Sequence, residues 1–299
     1  MARACGKIIL FGEHSVVYGK PAIAVPVKSV FTEVNIEKSE SFKCSTTYKL
    51  TDSEKNNLKK IIGIVLKKLK IRNKNFKLKI NSTIPVSSGM GSSAALSVSI
   101  IREISAFFGN NLNNNQISEI AFECEKQFHG TPSGIDNNVV TYEKPIYFIK
   151  NKKLEFVRVK RPFTIIIADT GIKSSTKDIV ADVGRMYEKN RQLYDRYFNE
   201  MAGIAVQAKK AIETGEINLI GNLMNENHGL LQKINVSCGE LDFLVGVALE
   251  NGALGAKMVG GGRGGNIIAL AENNRKKLIE NLLKAQAVNC ITTDIGKTQ

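Results

Sequence analysis

The 299-residue chain has no tryptophan, six prolines and five cysteines that are never closer than 39 residues apart. With an odd cysteine count and no CxxC pair, neither a disulfide framework nor a zinc knuckle is indicated. Reduced, mostly buried thiols are expected at Cys5, Cys44, Cys124, Cys238 and Cys290. Aromatic residues make up only 7% of the chain and do not interleave with basic ones. That removes the stacking platform of a nucleic-acid binder, and no nucleic-acid partner is expected. No apolar run approaches the roughly 18–20 residues that span a bilayer. The apolar residues 8–11 are broken at once by Glu13 and His14, and no small-residue cleavage site follows. No signal peptide and no membrane partner are therefore expected, and the expected address is cytoplasmic.

What is present is ordinary for a globular protein: 43% hydrophobic and 23% charged side chains. The length suffices for two cores of about 100–200 residues each. Net charge is +14, with the lysines spread along the chain. A spread positive charge suits small anionic substrates better than a polymer. The densest lysine region, residues 54–70, places Leu58, Ile61, Ile62, Val65, Leu66 and Leu69 at helical spacing and predicts an amphipathic helix with a solvated basic face.

Residues 7–11 read as a short strand. Residues 22–37 read as a longer one, with Val30, Thr32, Val34 and Ile36 alternating against polar neighbours. Residues 76–84 alternate again, and a helix is predicted over 92–108. Asn115 is expected to cap a further helix to about residue 128, which Pro132 must end. The second half predicts a buried strand at 164–168, long helices over 177–250, strands at 256–259 and 266–271 around a glycine run, a helix at 273–284 and a strand at 287–292. No Pro/Gly/Ser-rich linker separates the halves. The expectation is two abutting α+β domains, residues 1–160 and 161–299, with a cleft between them.

Four clusters carry chemistry. Residues 85–96, PVSSGMGSSAAL, lie between a strand and a helix. Gly89 and Gly91 let backbone N–H groups face an anion, and Ser92 and Ser93 sit at a helix N-terminus that favours phosphate. Taken alone, the segment also fits a glycine turn with a serine cap. Residues 260–265, GGGRGG, contain G-x-G-x-x-G but precede a strand where a dinucleotide fingerprint requires a helix. A strand–loop–strand turn passing close to something fits better. Residues 123–136, ECEKQFHGTPSGID, deliver Glu125 and Asp136 from a helix end and its following loop. Two such carboxylates suit magnesium binding and hydroxyl deprotonation, though each also fits a routine helix position. Residues 6–22, GKIILFGEHSVVYGKPA, place Lys7 on a strand with Glu13 and His14 just past it.

Together these clusters resemble the GHMP kinases over nearly the whole chain. The start KxxLxGEHxVVxGxPA, the loop PxxxGxGSSAA and the late loop KxxGxGxGG at 257–265 occur in order. Within the family, residues 6–22 and HGTPSGID look most like the members that phosphorylate mevalonate. The alternative is another small-molecule kinase of the family, acting on phosphomevalonate, a sugar or homoserine. The resemblance implies an N-terminal α/β domain, a ferredoxin-like C-terminal domain and a site in the cleft between them. It implies ATP and mevalonate as partners, Mg²⁺ as cofactor, a step toward isoprenoids and, as an open option, a homodimer.

Residue by residue, the resemblance makes Asp136 the catalytic base and Lys7 its neighbour, holding it ionised and polarising the hydroxyl. Ser93 and Glu125 would hold Mg²⁺. ATP would lie along Pro85, Val86, Ser87, Ser88, Gly89, Met90, Gly91, Ser92, Ser93, Ala94, Ala95 and Leu96, with Gly89 to Ala94 around its phosphates. Lys7, His14, Ser15, Thr176 and Asp136 would meet the substrate. Three positions depart from the family pattern: Cys5 stands for a proline, Arg263 interrupts the late glycine loop, and Asn266 stands for a cysteine.

Overall fold

A computed structural model of the chain describes residues 1–48, 50–85, 89–129 and 133–297. The fold divides into two compact units that are each discontinuous in sequence. One comprises Met1–Lys7, Pro26–Val86 and Met90–Glu143; the other comprises Ile8–Val25, Ser87–Gly89 and Lys144–Gln299. Two paired strands, β1 (Ala2–Phe11) and β2 (Ala22–Lys38), run on from one unit into the other.

In the first unit, β3 (Lys43–Thr46) leads to α1 (Asp52–Lys68) and β4 (Phe76–Ser82). Strand β4 pairs antiparallel with residues 32–38 of β2 and parallel with β3. Helix α1 begins at a capping box, in which Thr51 accepts the Glu54 N–H while the Glu54 carboxylate accepts the Thr51 N–H. It buries Leu58, Ile61, Ile62, Val65 and Leu66, five of the six residues of the predicted stripe; the sixth, Leu69, is its half-buried C-cap. Helices α2 (Ser92–Phe107), α3 (Asn114–His129) and α4 (Ile135–Tyr142) follow and pack on one another. The cap of α3 is Asn113, whose side chain accepts the Gln116 N–H while Gln116 accepts the Asn113 N–H. The expected cap, Asn115, already lies inside the helix. In a run of asparagines each can cap, and the partner glutamine three residues on selects one.

The second unit opens with residues 8–25, which contain a 3-10 turn at Ser15–Tyr18. Residues 22–24 of β2 pair with β5 (Ile146–Phe148), which pairs with β6 (Glu155–Phe156). Then come β7 (Phe163–Asp169), helices α5 (Thr176–Lys189), α6 (Arg191–Thr214), α7 (Ile217–Lys233) and α8 (Gly239–Glu250), β8 (Gly255–Val259), β9 (Asn266–Ala271), α9 (Arg275–Lys284) and β10 (Asn289–Ile295). The four strands form an antiparallel sheet in the order β10-β7-β9-β8. With helices between the first and second and between the third and fourth strands, this is the ferredoxin-like β-α-β-β-α-β pattern, its first helical crossover enlarged to four helices. Strands β8 and β9 are buried at every position, and apart from Lys257 and Asn266 their residues are apolar or glycine.

Candidate functional site

In the first unit, three elements converge. The Lys7 ammonium at the middle of β1 lies 2.9 Å from Asp136 Oδ1, the two side chains being 7% and 29% exposed. Asp136 is the second residue of α4, just after Gly134, and the helix N-terminus favours its negative charge. The backbone N–H of Lys7 donates to the Met90 carbonyl at 2.9 Å, which fixes the glycine loop beside the strand. Gly91 is the N-cap of α2 with φ of 71°, and a Cβ there would come within 2.8 Å of Lys7 Cγ. Glycine is required at this position on both counts.

Glu125 lies on α3 and is buried. Its carboxyl is pushed up to about 7, first by burial and then by the Asp136 charge, while the Ser93 hydroxyl and the Lys7 ammonium pull the other way. Ser93 sits in the first turn of α2 and donates to Glu125. Lys7, Met90, Gly91, Ser93, Glu125 and Asp136 are thus one cluster. Arg102 of α2 braces it, donating to the carbonyls of Arg3 on β1 (2.6 Å) and Thr141 on α4 (2.8 Å) and pairing with Glu143 at 3.0 Å. One guanidinium thereby touches both elements that carry the Lys7–Asp136 pair. Of the expected nucleotide residues, Val86, Ser87 and Ser88 lie outside the described residues, as do Gly130, Thr131 and Pro132 of the HGTPSGID segment.

The second unit gathers the remaining candidates. His14 and Ser15 follow Glu13 in a turn where His14 has φ of 59° and is buried. The His14 Nε2 lies 2.9 Å from the Gly261 carbonyl, which makes Nε2 the protonated nitrogen and leaves Nδ1 an acceptor. Burial, with further help from the charges of Lys257 and Arg263, brings the imidazole down to about 4, so the ring is neutral at pH 7. Ser15 Oγ donates to the Gly12 carbonyl. Thr176 is exposed at the first residue of α5 and packs on Gly261, where an added Cβ would come within 2.7 Å of its Oγ1.

Two relationships in this unit escape a reading of the sequence by motifs. Lys257 of β8 donates to the Glu13 carboxylate, with both side chains sealed from solvent, and to the Met258 carbonyl at 2.8 Å. A lone lysine inside the apolar strand GAKMV was the available signal, because a buried ammonium needs a carboxylate. Arg263, the departure in the glycine loop, pairs with Asp182 of α5 at 2.5 Å and donates through Nε to the Asn235 carbonyl at 3.2 Å. No spacing rule predicts that partner 81 residues away. Cys5 is buried in β1, and burial pushes its thiol up to about 12, which makes it an inert packing residue.

Comparison with known proteins gives the same family from both ends of the chain. The family description GHMP kinases N terminal domain matches residues 56–144, and GHMP kinases C terminal matches residues 208–289. The mevalonate kinase of Thermococcus sibiricus is 35% identical over 305 residues, covering 93% of this chain and 91% of its own. That of Pyrococcus furiosus is 34% identical over the same shares. Among solved structures, the L. major mevalonate kinase in complex with R-mevalonate matches with a TM-score of 0.89 at 30% identity, covering 99% of this chain and 95% of that one. On these matches the chain belongs to the GHMP kinase family, in its mevalonate kinase branch.

Proposed function

We propose that the protein transfers the γ-phosphoryl group of ATP to the 5-hydroxyl of (R)-mevalonate, giving 5-phosphomevalonate. The observation that carries this reading is the Lys7–Asp136 pair at 2.9 Å beside buried Glu125. Phosphoryl transfer asks a protein for in-line placement and charge stabilisation more than for covalent chemistry. Asp136 accepts the hydroxyl proton as the O–P bond forms, late in the reaction, because an ordinary carboxylate is a weak base toward an alcohol. Lys7 orients Asp136 and offsets negative charge on the moving phosphoryl group.

Ser93 and Glu125 would hold Mg²⁺. The fit rests on their chemistry: a hydroxyl and a carboxylate in contact are hard oxygen donors, and the raised carboxyl of Glu125 is what a nearby dication would bring back down. When bound, the ion supplies charge neutralisation at the nucleotide phosphates. His14 Nδ1, an acceptor buried with no hydrogen-bond partner among the described residues, suits a substrate hydroxyl. The N-terminus of α2, opened by Gly91, suits phosphate oxygens.

The experiment is a coupled ADP-release assay with Mg²⁺ and ATP across mevalonate, phosphomevalonate, galactose and homoserine. Turnover of mevalonate above the others is expected. Strong turnover of another substrate with none of mevalonate would overturn the proposal.

A further inference from the structure

Arg263 stands in the late glycine loop with φ of 51°, a left-handed backbone that an arginine adopts at a cost, so its side chain and backbone must be held by something. Two elements hold it. Its backbone N–H donates to the Val236 carbonyl at 2.8 Å and its Nε to the Asn235 carbonyl, both in the connection between α7 and α8. Its NH1 reaches Asp182 of α5. Gly265 is tied to the segment before α5, donating to the Ile172 carbonyl at 2.8 Å and accepting from Thr170 N–H and Oγ1 at 2.9 and 2.8 Å.

The loop is therefore tied to α5 at two places, to the segment ahead of it through Ile172 and Thr170 and to its middle through Asp182. Between those grips lies Thr176, with its hydroxyl against the bare α-carbon of Gly261. Gly261 in turn accepts the His14 hydrogen bond. A shift of α5 would move Thr176 and, through Gly261, disturb His14. The only tie from the loop to the body of the helix found among the described residues is the Arg263–Asp182 pair. Asp182 also meets Arg185 one turn on, which restrains its carboxylate. The fork of the guanidinium is rigid and always charged, which suits a fixed strut better than a flexible lysine would.

We propose that Arg263 and Asp182 are positioning residues for the phosphoryl transfer: their ion pair clamps the glycine loop to helix α5 and fixes Thr176 against Gly261. This rests on the mevalonate kinase reading above. The pair is partly exposed, 36% and 30%, and contributes little to global stability, so its effect belongs in the rate and not in the melting temperature.

The test is a double-mutant cycle with R263A, D182A and the double variant, read three ways. Each single variant should lower kcat about tenfold, the scale of a small misplacement of reacting groups, with KM for ATP within about twofold. The double variant should be no worse than either single one. Amide exchange of residues 176–182, measured without substrates, should quicken in both single variants. Unchanged exchange and unchanged kcat in both would overturn the clamp, as would losses that multiply in the double variant. If R263A alone raises KM for ATP about tenfold while D182A leaves it alone, Arg263 serves the nucleotide phosphates and the clamp is wrong. Should the unaltered protein fail to turn over mevalonate, the functional reading falls, and the exchange measurement still decides the clamp.

Discussion

Lys257 of β8 and Glu13 of the start segment form an ion pair from which water is excluded on both sides. Burial alone pulls the lysine below its ordinary range, and the Glu13 carboxylate opposes that pull by charge and by hydrogen bond. The pair holds the turn that carries His14 and Ser15 on the strand that leads into the late glycine loop.

Removing one partner should therefore be costly. Lys257→Met or Glu13→Leu is expected to destabilise the fold by about 3–5 kcal/mol, because the other group stays buried after losing this ion pair. The double variant Lys257→Met/Glu13→Leu should lose less than the sum of the two. Thermal and urea unfolding of the four proteins measures this. Additive losses would mean that the two groups do not depend on each other.

Glu125 sets a pH dependence of opposite sign to that of most carboxylates. Its folded value of about 7 lies above the ordinary 4.5, so between those values the native state binds a proton that the unfolded chain has lost. Stability conferred by the protonated form is present below about 4.5 and is lost as pH rises through 7, amounting to on the order of 3 kcal/mol. Glu125→Gln should flatten that decline in thermal midpoint. Added Mg²⁺ should stabilise the unaltered protein more at pH 8 than at pH 5, and should do so hardly at all in the variant. His14 tilts the opposite way: with its folded value down at about 4, stability falls as pH drops from about 6.5, so Glu125→Gln should leave that acid limb in view.

Gly91→Ala tests the contact between the glycine loop and Lys7. The new methyl would lie 2.8 Å from Lys7 Cγ and 3.1 Å from Cε, in a backbone conformation that alanine resists. A stability loss of about 1 kcal/mol is expected from the backbone alone. The displaced Lys7 should add a fall in kcat of at least about tenfold. Activity at the unaltered level would show that Lys7 can move aside without consequence.

Asp136→Asn should lower kcat by at least ~10²-fold while ATP binding changes little, the signature of losing a general base. Measuring kcat beside an ATP dissociation constant separates the two. Retention of more than about a tenth of the activity would rule out a base of this importance.

The glycine-rich segments were easier to pick out in the sequence than the ion pairs behind them, for physical reasons. Glycine and serine at fixed spacing mark a candidate phosphate loop, because few other residues allow the backbone to approach an anion. The apolar stripe of α1 and the alternation in β2 are periodic and legible. By contrast, β1 begins at Ala2, five residues before the visible run, because Ala4 and Cys5 are small and buried and break the expected pattern. The strands β3, β5 and β6 span four, three and two residues, too few for any periodicity. Arg102, Asp182 and Lys257 act through partners distant in sequence, and local spacing carries no trace of such pairings.

Residues 8–25 stand near the start of the chain and yet belong to the unit that takes in the chain from residue 144 onward. That interleaving limits how such a protein can be cut, shuffled or inherited in pieces. A fragment made from residue 144 onward would carry Lys257 in its sealed strand and leave Glu13 behind, an uncompensated charge of the kind that costs several kcal/mol. Exchange of parts between relatives must move the early turn and the late strand as one cassette. The heritable module here is two separated stretches of sequence joined by a buried pair of charges.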